Sequence, residues 1–106
     1  MGTNTWQSNL QQTINDIIGY EPEKIILYGS AARGEFTEQS DIDLLIIKKT
    51  DKDIFDRIGE VLKLLRNNPL PVEPIVLTPE EFQKMQFEER LFAEVILREG
   101  KILYEK

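Results

Sequence analysis

Trp6, Leu10, Ile14, Ile17 and Ile18 recur at spacings of four, four, three and one, the stripe of an amphipathic helix, and Gly19 supplies a stop. This pattern predicts a first helix over about 5–18. Glu21-Pro22 interrupts the chain, and the β-rich run Lys24 to Tyr28 predicts a strand. A Gly29-Ser30 turn should start a short helical piece ended by Gly34, followed by a loop over 35–40. The apolar run Leu44 to Ile47 then marks a second strand, over about 41–48.

Further on, Thr50 ahead of Asp51 and Asp53 reads as an N-cap with acidic first-turn residues. Ile54, Ile58, Val61, Leu62 and Leu65 form the expected buried stripe of a second long helix, which Asn67-Asn68-Pro69 ends. Residues 71–77 read as a third strand. Thr78-Pro79-Glu80-Glu81 is a capping box with proline at the first helical position. It opens a helical region in two pieces, about 79–84 and 87–98, with Leu91, Phe92, Val95 and Ile96 as core contacts and Gly100 as the stop. Lys101 to Tyr104 closes the chain as a short strand. The order αβαβαβαβ predicts an α/β (α+β) fold, a small mixed sheet of about four strands flanked by helices.

A chain of 106 residues is expected to form one domain, 1–106, with a single core. Its longest aliphatic run is far too short for a membrane span, and Met1-Gly2-Thr3-Asn4 lacks the charged and apolar regions of a signal peptide, so a cytoplasmic protein is expected. The absence of cysteine and histidine excludes disulfides, structural zinc, cysteine nucleophiles and histidine acid–base catalysis. Any metal must be a hard cation held by oxygen. A net charge of -6 argues against direct nucleic-acid binding through phosphate neutralisation and favours a basic protein partner.

Candidate chemistry concentrates between Gly29 and Asp43. Asp41 and Asp43 alternate at the start of a strand, so they share a face at a Cα separation of about 6 to 7 Å. Two carboxylates about 5 Å apart repel by about 3 kcal/mol at an effective dielectric near 20, and these two lead into the most apolar run of the chain. A divalent cation between them resolves that cost. Gly29 and Ser30 add a strand-to-helix turn in which glycine permits close backbone approach and the hydroxyl adds a donor, a combination suited to phosphate oxygens. The dinucleotide and Gly-Lys-Ser phosphate loops do not fit, since Ala31 stands where the first of them needs glycine.

Glu73 and Pro74 interrupt the third strand, and proline there points to an edge, a strand start or a bulge. If the second and third strands are neighbours, Glu73 stands beside Asp41 and Asp43 as a metal ligand or a general base; otherwise it is a solvated edge residue. Arg33 can reach a phosphate, pair with a nearby carboxylate, or remain solvated. Glu35 and Glu38 read as loop surface, and Tyr20, Tyr28 and Tyr104 as packing residues.

The stretch Gly29-Ser30-Ala31-Ala32-Arg33-Gly34 continuing to Ser40-Asp41-Ile42-Asp43-Leu44 resembles the signature of the nucleotidyltransferase superfamily that includes DNA polymerase β and kanamycin nucleotidyltransferase. The likeness is greatest to the minimal nucleotidyltransferases (MNT, MntA-like) and extends over Val72-Glu73 to Phe82 and Arg98 to Tyr104. It implies the nucleotidyltransferase fold, with Gly29 and Ser30 on the triphosphate, Asp41 and Asp43 on Mg²⁺, two ions in all, and Glu73 as the third carboxylate. It further implies transfer of AMP from ATP, the nucleotide substrate, to a tyrosine hydroxyl of a HEPN-domain toxin, for which relatives of this size act as antitoxins. The sequence leaves a homo- or hetero-oligomer open. Two other outcomes fit the same motif: an antitoxin that acts by binding alone, and nucleotidylation of a small molecule such as an aminoglycoside.

Overall fold

The computed structural model describes residues 2–35, 41–88 and 90–106, with side chains from Trp6 onward. The element order is α1 (Gly2–Ile18), β1 (Lys24–Tyr28), β2 (Ile42–Ile47), α2 (Ile54–Leu64), β3 (Val72–Leu77), α3 (Pro79–Glu88), α4 (Arg90–Glu99) and β4 (Lys101–Glu105). The strands form one mixed sheet in the order β3-β2-β1-β4. β1 runs antiparallel to both β2 and β4, whereas β2 and β3 run parallel with α2 as their crossover, as a parallel pair requires.

Helices cover both faces of the sheet. Ile14 and Ile17 of α1 and Val61 of α2 bury against Ile25, Leu27, Ile42, Leu44 and Ile46 on one face. Ile96 of α4, with Phe82, Met85 and Phe92, covers Ile26, Leu45 and Ile47 on the other. β2 is therefore buried on both sides, which is why it reads as a continuous apolar run rather than an alternating one. Ile42, Leu44, Leu45 and Ile46 are each 0% exposed, and cutting any of them back to alanine should cost about 2–5 kcal/mol.

Several local expectations change. The segment after Gly29 is a series of turns rather than a helical piece, with Arg33 N–H donating to Gly29 O (3.2 Å) and Glu35 N–H to Ser30 O (2.9 Å). The N-cap of α2 is Asp53, whose side chain accepts from the Asp56 N–H, while the Thr50 hydroxyl takes the Lys52 N–H in a local turn. Leu62 and Ile54 of the expected stripe are exposed, and Arg57 is buried instead. Leu91, expected in the core, is 82% exposed, and Ala93 takes the buried position. The predicted loop over 35–40 lies outside the described residues from 36 onward, and Glu38 with it.

β3 is an edge strand, so Pro74 sits where a missing ladder donor is tolerated. The capping box is present: the Thr78 N–H donates to Glu81 Oε1 (2.8 Å) and the Glu81 N–H to Thr78 Oγ1 (3.1 Å). Gly100 marks a close approach, since a Cβ there would strike the Ile96 carbonyl and come within 2.8 Å of Ile26 Cγ2. No helix among the described residues is long and apolar enough to cross a membrane.

Candidate active site

Sheet register assembles the site. In the parallel pair, Asp43 lies opposite Glu73, and in the antiparallel pair it lies opposite Tyr28. Paired residues share a face, so Tyr28, Asp43 and Glu73 form a row across three strands. Asp41, two positions before Asp43 and exposed, stands at the mouth of the same row. The Asp-x-Asp motif thus opens the central buried strand, and the proline-bearing edge strand delivers the third carboxylate to it.

Gly29 closes the site from the end of β1. Its φ of 77° lies in the left-handed region, and a Cβ at this position would collide with Asp43 Oδ2 and lie 3.3 Å from Asp43 Cγ. Glycine is required here twice over, by backbone conformation and by the carboxylate packed against it. Within the turn that follows, the N–H groups of Ala32, Arg33, Gly34 and Glu35 all donate to carbonyls of Gly29, Ser30 or Ala31.

Electrostatically the row is crowded with negative charge. Asp41 first, and then Asp43, push the Glu73 carboxyl above the usual carboxylate range, with slight desolvation and a hydrogen bond to Asp43 adding to the effect. Burial, together with Asp43 and Glu73, pushes the Tyr28 phenol up to about 12, so it stays protonated at neutral pH. Tyr28 also meets the Phe92 ring edge-on at 5.8 Å between centroids. Sequence pattern assigns Tyr28 to packing; its place beside Asp43 follows from antiparallel register just ahead of the Gly29 turn.

A cleft of about 400 Å³ opens at this row, with Asp43, Glu73 and Tyr28 as its polar lining and Ile58, Leu62, Val72, Pro74 and Ile75 as its apolar wall. Arg33 is turned to carboxylates: its Nε lies 3.1 Å from Glu35 Oε1 and its Nη1 3.3 Å from Glu99 Oε2. Both contacts are at the surface, with the Arg33 side chain 41% exposed.

The family model for polymerase beta nucleotidyltransferases (Polbeta) matches residues 10–106. The chain belongs to the polymerase β nucleotidyltransferase family. Among relatives of this minimal nucleotidyltransferase is the “Putative protein adenylyltransferase MJ0604” of Methanocaldococcus jannaschii, 42% identical over 82 residues, which span 77% of this chain and 78% of the relative. A second, “Putative protein adenylyltransferase MJ0141” of the same organism, is 28% identical over 74 residues, 70% of this chain and 73% of the relative. The crystal structure of a “putative nucleotidyltransferase” from Sulfolobus solfataricus superposes with a TM-score of 0.63 at 24% identity, covering 93% of this chain and 79% of that one, and shows the fold.

For this nucleotidyltransferase, Asp41, Asp43 and Glu73 form a donor set of oxygen alone, which suits Mg²⁺ or a similar hard cation and no softer metal. The register that sets Asp43 against Glu73 crowds like charges, the pattern that a divalent ion would neutralise. Among the described residues no three acidic side chains stand close enough to enclose a metal ion without adjustment. Asp41 and Glu73 are both exposed, so neither is held in place by surrounding core.

Proposed function

We propose that this nucleotidyltransferase moves AMP from ATP, with Mg²⁺, to a hydroxyl group of a protein. The observation that carries the reading is the register of Asp43 against Glu73, with Gly29 closed onto Asp43. Asp41 and Asp43 would hold the metal, two ions in the arrangement the resemblance implies, with Glu73 as a further ligand or as the base for the attacking hydroxyl. Bound there, the metal supplies Lewis-acid stabilisation of the charge that develops on the phosphate oxygens.

The chain's own groups do the rest. Because the turn's later N–H donors are spent internally, contacts to the phosphates fall to Gly29 and Ser30. Arg33 would join them by exchanging Glu99 or Glu35 for a phosphate oxygen. Tyr28 remains a neutral donor beside Asp43, and Ile58, Leu62 and Val72 give the cleft an apolar wall. The acceptor oxygen bonds to the α-phosphorus as the bond to the pyrophosphate oxygen breaks, and the hydroxyl proton passes to Glu73 or to solvent.

The relatives' naming as protein adenylyltransferases supports a protein acceptor. Resemblance to minimal nucleotidyltransferases extends the proposal to a HEPN-domain toxin as acceptor and partner, with a tyrosine hydroxyl as the receiving group and neutralisation in the cytoplasm as the outcome. Mass spectrometry of a HEPN-domain partner after incubation with ATP and Mg²⁺ tests this. AMP on a tyrosine of the partner is the expected result. A partner that is neutralised while carrying no AMP would establish binding alone as the mechanism, and AMP found only on an aminoglycoside would replace the acceptor class.

A further inference from the structure

Gly29, at the end of β1, closes onto Asp43 from one side, and Glu73 of β3 meets Asp43 from the other. In a displacement at phosphorus the attacking oxygen enters opposite the leaving one. With Gly29 and Ser30 on the phosphates, as proposed above, the acceptor hydroxyl therefore enters from the Glu73 side. On that side the cleft is walled by Ile58 and Leu62 of α2 and by Val72, Pro74 and Ile75 at β3.

The flank of α2 that forms this wall continues past the cleft. Phe55, Ile58 and Leu62 fall at spacings of three and four, so they are neighbours along one side of the helix, over about 10 Å of its length. Arg57, Val61 and Leu65 take the buried face beside them. Phe55 is 81% exposed and Leu62 47%, so the strip is apolar surface that the core does not use. Around Phe55 stand Asp51, Asp53 and Asp56, all exposed, while Lys52 among them is tied to Glu60 at 2.8 Å.

We propose that the Phe55–Ile58–Leu62 flank of α2 is the docking surface for the acceptor protein, and that it fits an apolar patch rimmed by Lys or Arg. A partner seated there presents its hydroxyl-bearing side chain to the cleft from the Glu73 side. A small molecule confined to the cleft leaves Phe55 uncovered, so the strip fits a macromolecule. The acidic rim repels nucleic acid and attracts a basic protein surface, in keeping with the net charge of -6.

This surface rests on the protein-acceptor reading, and the test separates the two. The full chain carrying Asp41→Ala and Asp43→Ala, which lacks the proposed chemistry, is titrated calorimetrically with the HEPN-domain acceptor, so that docking alone is read. In that background Phe55→Glu and Leu62→Gln are each expected to weaken the Kd by at least about tenfold. Phe87→Glu, at a position 84% exposed on α3, should change it less than about twofold. Raising NaCl from about 0.05 to about 0.5 M should weaken binding at least threefold. Phe55 is exposed, so its variant should melt with the parent. An acceptor that binds the parent but ignores Phe55→Glu and Leu62→Gln, responds equally to Phe87→Glu, or is indifferent to salt would overturn this surface and leave the transfer reading standing. An acceptor that does not bind the parent would overturn the acceptor reading and this surface with it.

Discussion

Asp43 and Glu73 are register partners in the parallel pair β2–β3, so a carboxylate from the buried central strand and one from the exposed edge strand meet on the same face. Neither is placed by local geometry alone. Asp43 is fixed by the burial of β2, and Glu73 by the α2 crossover that sets the register of β3.

Replacing Glu73 by Gln keeps the shape of the site and removes its charge. Transfer of AMP is expected to fall about 10²- to 10³-fold, with Glu73→Asp intermediate. Because Glu73 is exposed, the melting temperature should be unchanged to within about 2 °C. Parallel activity and thermal-unfolding measurements separate the two effects; a variant that loses activity only in proportion to lost stability would contradict the assigned role.

Gly29 and Gly34 share a φ of 77°, yet only Gly29 has a carboxylate in the path of a Cβ. Gly34→Ala should cost about 1 kcal/mol from the left-handed backbone alone. Gly29→Ala should cost more, about 2–3 kcal/mol, because Asp43 must also move, and it should lose nucleotide transfer. Urea unfolding of the two variants measures the difference; equal costs would show that the approach to Asp43 carries no energetic weight.

Arg57, with a side chain 7% exposed, ties α2 to the edge strand and to α3: it donates to Lys52 O (2.7 Å), Val76 O (3.2 Å) and Glu81 Oε1 (2.7 Å). Arg57→Ala is expected to destabilise the fold by about 2 kcal/mol, below the usual range for a broken buried pair because Glu81 is 45% exposed and can be solvated. Urea midpoints at neutral pH check this; a shift below about 0.5 kcal/mol would count against the tie.

The Arg57 guanidinium, and after it the Thr78 N–H, hold the Glu81 carboxyl below the usual carboxylate range. Its contribution to stability is therefore complete above the unfolded-state pKa of about 4.3 and is lost as pH falls through the lower folded-state value. Stability profiles between about pH 6 and pH 3 should flatten in the Glu81→Gln variant relative to the parent; superimposable slopes would remove Glu81 from the acid transition.

These elements show what local pattern reveals and where it stops. The Thr78–Glu81 capping box and the Lys24–Tyr28 strand are written in neighbouring residues, and both form as read. The cap of α2 lies three residues beyond the expected Thr50 because Thr50 and Asp53 are both good caps, and only the folded chain shows Thr50 spent on the turn at Lys52. Periodicity counts arginine as surface, so it could not see that Arg57 is buried while Leu62 is exposed. At the candidate site, Gly29 and the two aspartates stand out by spacing. Pairing of Glu73 with Asp43 rests on non-local register, which no run of residues encodes, and Tyr28 entered the row by the same route.

The most direct test of the central claim follows two labels of ATP in the presence of Mg²⁺ and a HEPN-domain acceptor. Nucleotidyl transfer predicts that α-phosphate label moves to the acceptor while γ-phosphate label leaves as pyrophosphate, and that Asp41→Ala plus Asp43→Ala reduces both to background. Transfer of the γ-label, or α-label transfer undiminished in the double variant, would contradict the account.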